Sequence, residues 1–414
     1  MEAQIAGMSG TFDQGTFSGD TLTSGVAMGR QGLFLCNAAG FLFAFKACIT
    51  FLWFQSDPKL GAAVEVGATL ACLAIAICYT VLKPPRPVHR FDGVRTVRWI
   101  LAYLGLAAIS LFWTSAKSLN VAAAYCAGTA ADVALVALVL RYEPTEEGVR
   151  NVMRGFIVGA ALVALVAWCA PAMEDMRLGH EEFMHPNLIG FDFAIAALFA
   201  TYLAQRNKVW LWAVAGFVIT MLRTLSKGTI VGFLFAGLYY LLRGLKVSRK
   251  ARISVGIACT AVLVGFWSLL DAYLDLYTQG KNLETLTGRT YIWIQALDLA
   301  FEKPWLGYGF DSFRWVVPPL GDFQPGHAHN EIIQQFFAYG IVGLLIVIGI
   351  YWTFYRQARL SRNADLKAMA MAMLILVLIR GLVDTDRFEL CFPLWLMTML
   401  SVALAGTASP QPST

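Results

Sequence analysis

The sequence predicts an all-α polytopic membrane protein with about twelve transmembrane helices and one large outward loop between helices nine and ten. Hydrophobic residues make up 58% of the 414 residues, charged residues only 14%, and the mean hydropathy is +0.61. Soluble domains carry about 25% charged residues on average. Apolar spans long enough for a hydrocarbon core of about 30 Å also recur along the whole chain.

Twelve apolar spans define the predicted helices. They run over residues 32–54, 60–82, 99–113, 120–140, 155–170, 187–204, 209–223, 228–242, 253–270, 331–355, 368–383 and 388–405. The expected organisation is a cytoplasmic N-terminal segment 1–31, helices one to nine over 32–270, an outward loop 271–330, helices ten to twelve over 331–405, and a cytoplasmic tail 406–414. The first segment lacks the basic start, apolar core and cleavage site of a signal peptide, so the first helix is expected to stay in the mature chain.

The distribution of lysine and arginine predicts the orientation of these helices, because basic residues are retained on the cytoplasmic side. Nineteen of the 32 basic residues lie in five alternate short connections, at 83–98, 141–154, 206–208, 243–252 and 356–367. Both termini are therefore expected in the cytoplasm and the long loop on the outward face. The net charge of +5 follows from this topology and requires no nucleic-acid partner.

Several kinds of site are excluded because their motifs are missing. All eight cysteines lie within or at the ends of apolar spans, without CxxC or Cys/His spacing, which favours small buried hydrophobes over disulfides or a zinc site. The chain has no Walker loop, no GxGxxG after a strand and no repeat of about 20–50 residues. ATP hydrolysis and dinucleotide chemistry are therefore not expected.

The outward loop is too long and too patterned to be a simple connector. Its segment TYIWIQALDLAFEKP, at 290–304, predicts an amphipathic helix that lies on the membrane surface or on the helix bundle and stops at the proline. Three residues on one side of this helix are Trp293, Leu297 and Ala300. The segments WLGYGFDSFRW and PGHAHNEIIQQFF follow, and the second places two of the five histidines one residue apart.

The order of the loop motifs resembles a known family. TGRTYIW, KPWLGYGFDSF, HAHNEIIQ and YGIVGLL follow one another over about residues 285–345, and this part of the chain is similar to the O-antigen ligase and polymerase family of membrane glycan transferases. Looser support comes from LFWTSAKSLN at 111–120, HPNLIG at 185–190 and RTLSKGT at 223–229.

This resemblance implies a glycosyl transfer on the periplasmic side of the bacterial inner membrane. A glycan carried on undecaprenyl pyrophosphate would move through its anomeric carbon to a hydroxyl of a growing surface polysaccharide, of the lipid A core or, in some relatives, of a protein. The implied enzyme uses no nucleotide sugar, metal or cofactor and works among membrane lipids. The motifs look slightly closer to exopolysaccharide-type polymerases, but they do not separate polymerase from ligase.

Arg289, His327 and His329 are the predicted catalytic residues. A leaving diphosphate is stabilised by fixed cations, and arginine can bind it bidentately. An attacking sugar hydroxyl needs a proton acceptor, which a histidine titrating near neutral pH can provide. In the resembling family the firmest histidine precedes an asparagine, which points to His329 as the base and leaves His327 to support it or to bind substrate. The alternatives are a capping role for the histidine and a solvated surface role for Arg289.

Arg223 and Lys227 are predicted to bind the diphosphate, because they lie at the outward ends of helices seven and eight. The resembling family usually has a Ser-Arg pair where this chain has Ser226 followed by lysine. A lysine keeps the charge but lacks the planar fork of arginine, so Arg223 is the alternative holder of that role. Arg314 is a further, weaker candidate for substrate binding, and an ordinary loop charge is the other interpretation.

Asn330 and Asn187 complete the predicted substrate-binding residues. Asn330 follows the histidine pair and precedes Glu331, and asparagine is also a preferred N-cap residue. Asn187, with His185, begins helix six on the outward side, where it would either line a cavity or cap the helix.

Charged residues elsewhere in the apolar part of the chain are also singled out. Four of them crowd the turn RGLVDTDRF, namely Arg380, Asp384, Asp386 and Arg387. A local ion-pair network is expected in this turn, with acceptor binding as the alternative. Burying a charge in lipid costs at least about 2.5–3.5 kcal/mol on insertion scales, yet the sequence identifies no partners for Lys46, Asp132 and Asp192.

The alternative function is a transporter or flippase for a lipid-linked sugar, with the buried charges along its path. Transporters often show corresponding broken helices in two halves, and the sequence shows no such pair. A large outward loop with arginine and histidine favours chemistry at the membrane surface.

Overall fold

The computed structural model describes residues 19–82, 94–142, 145–244 except 172 and 174, 286–321 and 323–406, with isolated residues between 250 and 265. These residues form helices and connecting loops, and their only extended pairings are two isolated bridges, at His180–Met184 and Leu320–Phe323. The all-α class is confirmed. The basic connection 83–93, the loop residues 271–285 and the terminal segments 1–18 and 407–414 lie outside the described residues.

The described helices are numbered in chain order. They are α1 (Gly19–Phe45), α2 (Ile49–Trp53), α3 (Pro58–Leu82), α4 (Arg95–Ser110), α5 (Leu119–Tyr142), α6 (Thr145–Cys169), α7 (Pro186–Ala204), α8 (Trp210–Arg223), α9 (Lys227–Arg243), α10 (Leu286–Glu302), α11 (Phe313–Val316), α12 (Glu331–Leu360), α13 (Ala364–Gly381) and α14 (Leu394–Gly406). Helices are expected for such apolar segments, because lipid offers no hydrogen-bond partners to the backbone.

Among the described residues, six helical segments are long and apolar enough to cross a membrane, which makes this a multi-pass membrane protein. They are Gly32–Trp53, Pro58–Leu82, Leu119–Arg141, Glu146–Cys169, Pro186–Ala204 and Glu331–Leu360. Every predicted span except the ninth overlaps a helix, and 253–270 falls largely outside the described residues. With 14 and 13 residues, α8 and α14 rise only about 20 Å at about 1.5 Å per residue. The predicted number of twelve spans is therefore not reproduced among the described residues.

The first predicted span is neither straight nor confined to 32–54. Helix α1 begins at Gly19, so helical backbone extends into the segment that was expected to be an N-terminal tail. A short 3-10 turn over Lys46–Cys48 separates α1 from α2. The interruption coincides with a charged residue, Lys46, whose ammonium group lies 2.6 Å from Asp132 of α5.

Helices α1 and α6 cross at very short distance because glycines face the partner backbone. A Cβ atom on Gly155 would overlap the carbonyl oxygen of Asn37, and one on Gly40 would overlap that of Val152. Small residues at such crossings let helix backbones approach closely in membranes. The α1–α6 pair is therefore packed backbone to backbone at both glycines.

Replacing Gly155 with alanine is expected to lower the stability of the folded protein by about 1–3 kcal/mol, because the methyl group would meet backbone rather than a flexible side chain. The matched control is Gly216→Ala in α8, where an added Cβ meets nothing within 4 Å. Thermal unfolding of both variants in detergent measures the difference. Equal midpoints for the two variants would contradict the close crossing.

Helix α12 is interrupted at Gly340, whose φ of 61° and ψ of −156° are not helical. The interruption accommodates the loop segment 304–309. The amide of Ile341 donates to the carbonyl of Pro304 at 2.8 Å, and on the other side of the break the amide of Gly309 donates to the carbonyl of Ala338 at 2.8 Å. Loop and helix are thus joined through their backbones.

Helix α10 lies on the helix bundle, which is one of the two places expected for the amphipathic segment. Its buried residues Ile292, Ala296 and Ala300 pack in one hydrophobic cluster with Phe336 and Phe337 of α12. Of the three residues predicted to share one face, Ala300 is buried, whereas Trp293 and Leu297 are only partly buried. The buried face is therefore rotated slightly from the predicted one. Trp293 nevertheless donates through Nε1 to the carbonyl of Ala328 at 2.7 Å, so α10 also supports the histidine segment.

Several helix ends meet where α12 begins and α13 ends, and this end of the bundle is called the loop end below. Asn330, just before α12, donates through Nδ2 to the carbonyl of Leu382 at 3.0 Å. Arg289 near the start of α10 donates to the carbonyl of Val383 at 2.5 Å. A Cβ on Gly228, near the start of α9, would overlap the side chain of Val383. The turn after α13 is therefore the point where three other helices converge.

Candidate active site at the loop end

A linear array of His329, Asp384 and Arg380 forms the centre of the candidate site. His329 Nδ1 lies 3.2 Å from Asp384 Oδ1, and Arg380 donates through its terminal nitrogen to Asp384 Oδ2 at 3.0 Å. The side chains of His329 and Asp384 are 14% and 9% exposed. A largely buried carboxylate is therefore shared between a histidine and an arginine.

Local backbone geometry positions each member of this array. Asp384 follows the end of α13, and its amide donates to the carbonyl of Arg380 at 2.8 Å, which closes a turn and brings the two side chains together. His329 has a φ of 50°, in the left-handed region that few residues other than glycine adopt. Its amide donates to Nδ1 of His327 at 3.2 Å. Such backbone strain is typical of functional positions.

Hydrogen bonds and electrostatics assign the protonation of these groups. Burial, and then the neighbouring His329, hold the pKa of His327 well below its ordinary value, so this ring is neutral. Because its Nδ1 accepts a hydrogen bond, its proton is on Nε2. Burial alone would raise the pKa of the Asp384 carboxyl, but Arg380 and the hydrogen bond from His329 hold it below its ordinary value. An ionised Asp384 can only accept, so Nδ1 of His329 donates the hydrogen of this bond.

Asn330 is predicted to bind substrate or to cap a helix, and in the structure it caps α12. Its Oδ1 accepts from the amide of Ile333 at 3.1 Å, as an N-cap of α12. Its Nδ2 holds the carbonyl of Leu382. These two contacts fix the backbone just after His329 and just before Asp384.

Arg289 and Lys227 reach the same turn from two other helices. Arg289 binds the carbonyl of Val383, the residue before Asp384. Lys227 is the first residue of α9, and the next residue, Gly228, lies against the Val383 side chain. Arg289 therefore contacts this turn through its side chain, and Lys227 is placed near it by its neighbour Gly228.

Asn187 and Arg223 belong to a neighbouring cluster around Arg177, a buried residue that the sequence did not single out. Arg177 donates to Asn187 Oδ1 at 2.7 Å and to the carbonyl of Thr224 at 2.9 Å. The amide of Asn187 donates to Nδ1 of His185, which caps α7. Arg223 is partly exposed beside this cluster, with its guanidinium 5.8 Å from the ring of Trp168.

The sequence offered only a weak signal for Arg177. The residue stands in a polar connection between two apolar spans, where a charge is ordinary. Its importance comes from burial and from contacts to residues 10 and 47 positions away, which no local pattern reveals.

Arg314 is not brought to this site. It lies in the short helix α11 with its guanidinium 5.2 Å from the ring of Trp315, and in the described part of the chain no hydrogen bond or ion pair joins it to the His329 array. Besides Arg289, the turn residue Arg387 links the turn to the loop, because its guanidinium lies 2.5 Å from Asp311. The predicted ion-pair network of the turn is therefore only partly local, with one internal pair, Arg380 and Asp384, and one pair to the loop.

Three ligand atoms of the site are grouped as a metal site would require. One atom each from His327, His329 and Asp384 lies within 4.8 Å of the others. However, the guanidinium of Arg380 lies 3.0 Å from Asp384. A fixed cation so close to the carboxylate opposes the binding of a metal cation there. The donor set fits proton transfer better than cation binding.

Comparisons with known proteins give one family and several relatives. Residues 212–348 match the family model described as O-antigen ligase. The chain is 25% identical over 320 residues to an exopolysaccharide production protein, ExoQ, of Rhizobium meliloti (strain 1021), covering 70% of this chain and 72% of that protein. It is 28% identical over 189 residues to an O-antigen ligase of Pseudomonas aeruginosa, covering 44% of each. The resemblance shown by the loop motifs is confirmed, and the matched region contains His327, His329 and Arg289.

Proposed function

Since residues 212–348 carry the domain of the O-antigen ligase family, we propose that the protein is a membrane glycosyltransferase that uses a lipid-linked donor. It moves a glycan from undecaprenyl pyrophosphate to a hydroxyl of a growing surface polysaccharide or of the lipid A core. The reaction takes place at the periplasmic face of the inner membrane, with both termini of the chain in the cytoplasm. This orientation rests on the distribution of basic residues.

The observation that carries this proposal is the hydrogen bond between His329 and the buried Asp384. With Nδ1–H directed at a carboxylate, Nε2 of His329 is left to accept a proton. The acceptor hydroxyl attacks the anomeric carbon, and its proton passes to Nε2. The bond between that carbon and the diphosphate oxygen breaks, and the diphosphate leaves with the electron pair. Asp384 orients the ring and stabilises the imidazolium that forms.

Cations around the loop end stabilise the leaving diphosphate in this proposal. Arg289 and Lys227 approach the turn after α13 from two helices, and Arg223 lies at the end of α8, before the connection to Lys227. Charge on the departing oxygens grows in the transition state, so fixed cations there accelerate the reaction more than they strengthen ground-state binding. No metal is required in this scheme, because side chains supply both the base and the positive charge.

A polysaccharide acceptor is supported better than the lipid A core. The alignment to the exopolysaccharide production protein covers 70% of this chain, whereas the alignment to the O-antigen ligase covers 44%. The loop motifs are also slightly closer to polymerases of exopolysaccharides. We therefore propose that the acceptor is the sugar end of another repeat unit or of the growing chain.

Deletion of the gene in the host bacterium tests this function. We expect single repeat units on gels of surface and secreted polysaccharide if a polymerase is lost, and finished polymer left on its lipid carrier if a ligase is lost. Complementation with His329→Ala should fail, and complementation with His180→Ala, a loop histidine that stacks on Phe183, should succeed. A normal polysaccharide profile after deletion, or loss of translocated lipid-linked repeats in the His329 variant, would refute the transferase and point to a flippase.

A further inference from the structure

A cavity of about 390 Å³ lies at the loop end, among α1, α3, α5, α7 and the segment 386–395. Its size falls within the range of about 300–1,000 Å³ that is typical of small-molecule sites. The residues that line it lie toward the last turns of α1 and the first half of α3, α5 and α7, together with Arg380 in the last turn of α13. The cavity is therefore at the same end of the bundle as His329.

The charges that line this cavity are mixed, with an excess of carboxylates. Five carboxylates and three cations contribute to its wall: Glu65, Asp132, Asp192, Asp386 and Glu389, with Lys46, Arg380 and Arg387. Lys46 pairs with Asp132 at 2.6 Å, which accounts for two of the intramembrane charges whose partners the sequence left open. Lys46, Arg380 and Arg387 are all paired with carboxylates, so none of these three cations is left for a diphosphate, and the cavity suits a neutral ligand better than the leaving group of the donor.

Two buried polar atoms of lining residues have no hydrogen-bond partner among the described residues. One is a donor, Nε of Arg380, a residue that is only 4% exposed and whose other two nitrogens bind Asp384 and Cys391. The other is an acceptor, Oδ1 of Asp132. Buried polar groups are nearly always satisfied. Both residues line the cavity, so its wall contains an unused donor and an unused acceptor, the two functions that a hydroxyl group combines.

Aromatic rings supply the apolar part of the cavity wall. Tyr125 stacks on Phe388 with ring centroids 4.1 Å apart, and Phe43 stacks on Trp395 at 4.3 Å. All four residues line the cavity. A pyranose ring presents apolar C–H faces and a rim of hydroxyls. Aromatic rings can pack against the faces, and carboxyl groups can form hydrogen bonds with the hydroxyls.

We propose that this cavity binds a neutral sugar of the acceptor glycan. Arg380 lines the cavity and also binds Asp384, which binds His329, so one wall residue of the cavity belongs to the array that contains the proposed base. The proposal rests on the transferase function and adds to it the subsite, its chemistry and the identity of the substrate that occupies it.

Binding of sugar to purified full-length protein in lipid nanodiscs tests the subsite without requiring transfer. The probe is the set of neutral oligosaccharides released by partial acid hydrolysis of the host's surface polysaccharide, and the signal is tryptophan fluorescence, since Trp395 lines the cavity. Asp192→Asn replaces one lining carboxyl group by an amide, at a side chain that makes no hydrogen bond in the described structure. The control is Asp365→Asn in the first turn of α13, at the opposite end of that helix from Arg380.

We expect Asp192→Asn to weaken oligosaccharide binding at least about tenfold, with Asp365→Asn unchanged and undecaprenyl diphosphate binding equal in all proteins. In a transfer assay the same variant should raise KM for the oligosaccharide acceptor about tenfold and leave kcat and donor KM within about twofold. Absence of oligosaccharide binding to the unmodified protein, or equal binding by both variants, would overturn the subsite. A rise in donor KM instead would assign the cavity to the glycan of the donor. Absence of transfer by the unmodified protein refutes the proposed function, whereas the binding result still decides the subsite.

Discussion

Replacing His329 with alanine is expected to lower kcat for glycan transfer by a factor on the order of 10²–10⁴, the usual contribution of a positioned general base. The side chain is held by Asp384 at 3.2 Å, and its loss removes the group that accepts the hydroxyl proton. Donor and acceptor KM should stay within about threefold, because the base acts mainly in the transition state. Transfer by protein in nanodiscs, with lipid-linked donor and oligosaccharide acceptor, measures both constants.

His327 provides the matched comparison for that experiment. Its neutral ring accepts the amide hydrogen of His329 through Nδ1, and the side-chain oxygen of an asparagine can accept the same hydrogen. His327→Asn should therefore lower kcat less than about tenfold, whereas a second catalytic base would cost on the order of 10²-fold or more. A larger loss in the His327 variant than in His329→Ala would reverse the two roles.

Replacing Asp384 with asparagine is expected to lower both activity and stability. The amide no longer balances the buried guanidinium of Arg380, and breaking a buried ion pair typically costs about 3–5 kcal/mol. Since the folded-state pKa of Asp384 lies below its ordinary value, its stabilisation is present above about pH 3.9 and is lost as the pH falls toward the lower folded value. The histidine also loses the partner that fixes its orientation, and comparable changes lower kcat by factors on the order of 10⁴.

Activity and stability are separated by measuring both on one set of variants. Thermal unfolding reports the loss of the ion pair, and kcat below the unfolding range reports the loss of orientation. Asp384→Glu keeps the charge and should recover part of kcat, while Asp298→Asn, on the exposed side of α10, should change neither quantity. A less stable Asp384→Asn with normal kcat would show that the carboxylate only supports the fold.

Much of the fold and part of the candidate site follow from local patterns in the sequence. Apolar runs predict helices because lipid leaves no other partner for the backbone, and the ends of α7 and α9 fall within one residue of the predicted limits. Motif order in the loop placed Arg289 and His329 on one segment, and the structure brings both to the turn formed by Val383 and Asp384.

The remaining features depend on contacts that are distant in the chain. The partner of His329 is 55 residues away, so the sequence could show Asp384 only as one charge in a crowded turn. Hydropathy also does not show whether an apolar helix is surrounded by lipid or by other helices of the protein. All residues of α14 from Leu394 to Leu404 are buried in the bundle, and a helix surrounded by protein need not reach across the bilayer.

Because the loop segment 304–309 is bonded to the interruption of α12 at Gly340, the parts of the loop differ in their tolerance to insertion and deletion. The segment 304–309 is held in register by backbone bonds on both sides of the break, including that of Ile341 to Pro304, so the loss or gain of one residue there would displace the helix start that carries His329. The residues around Gly321, where an added side chain meets nothing within 4 Å, are free of that constraint. An insertion at Gly321 is therefore expected to leave the position of His329 unchanged, whereas an insertion within 304–309 is expected to displace it.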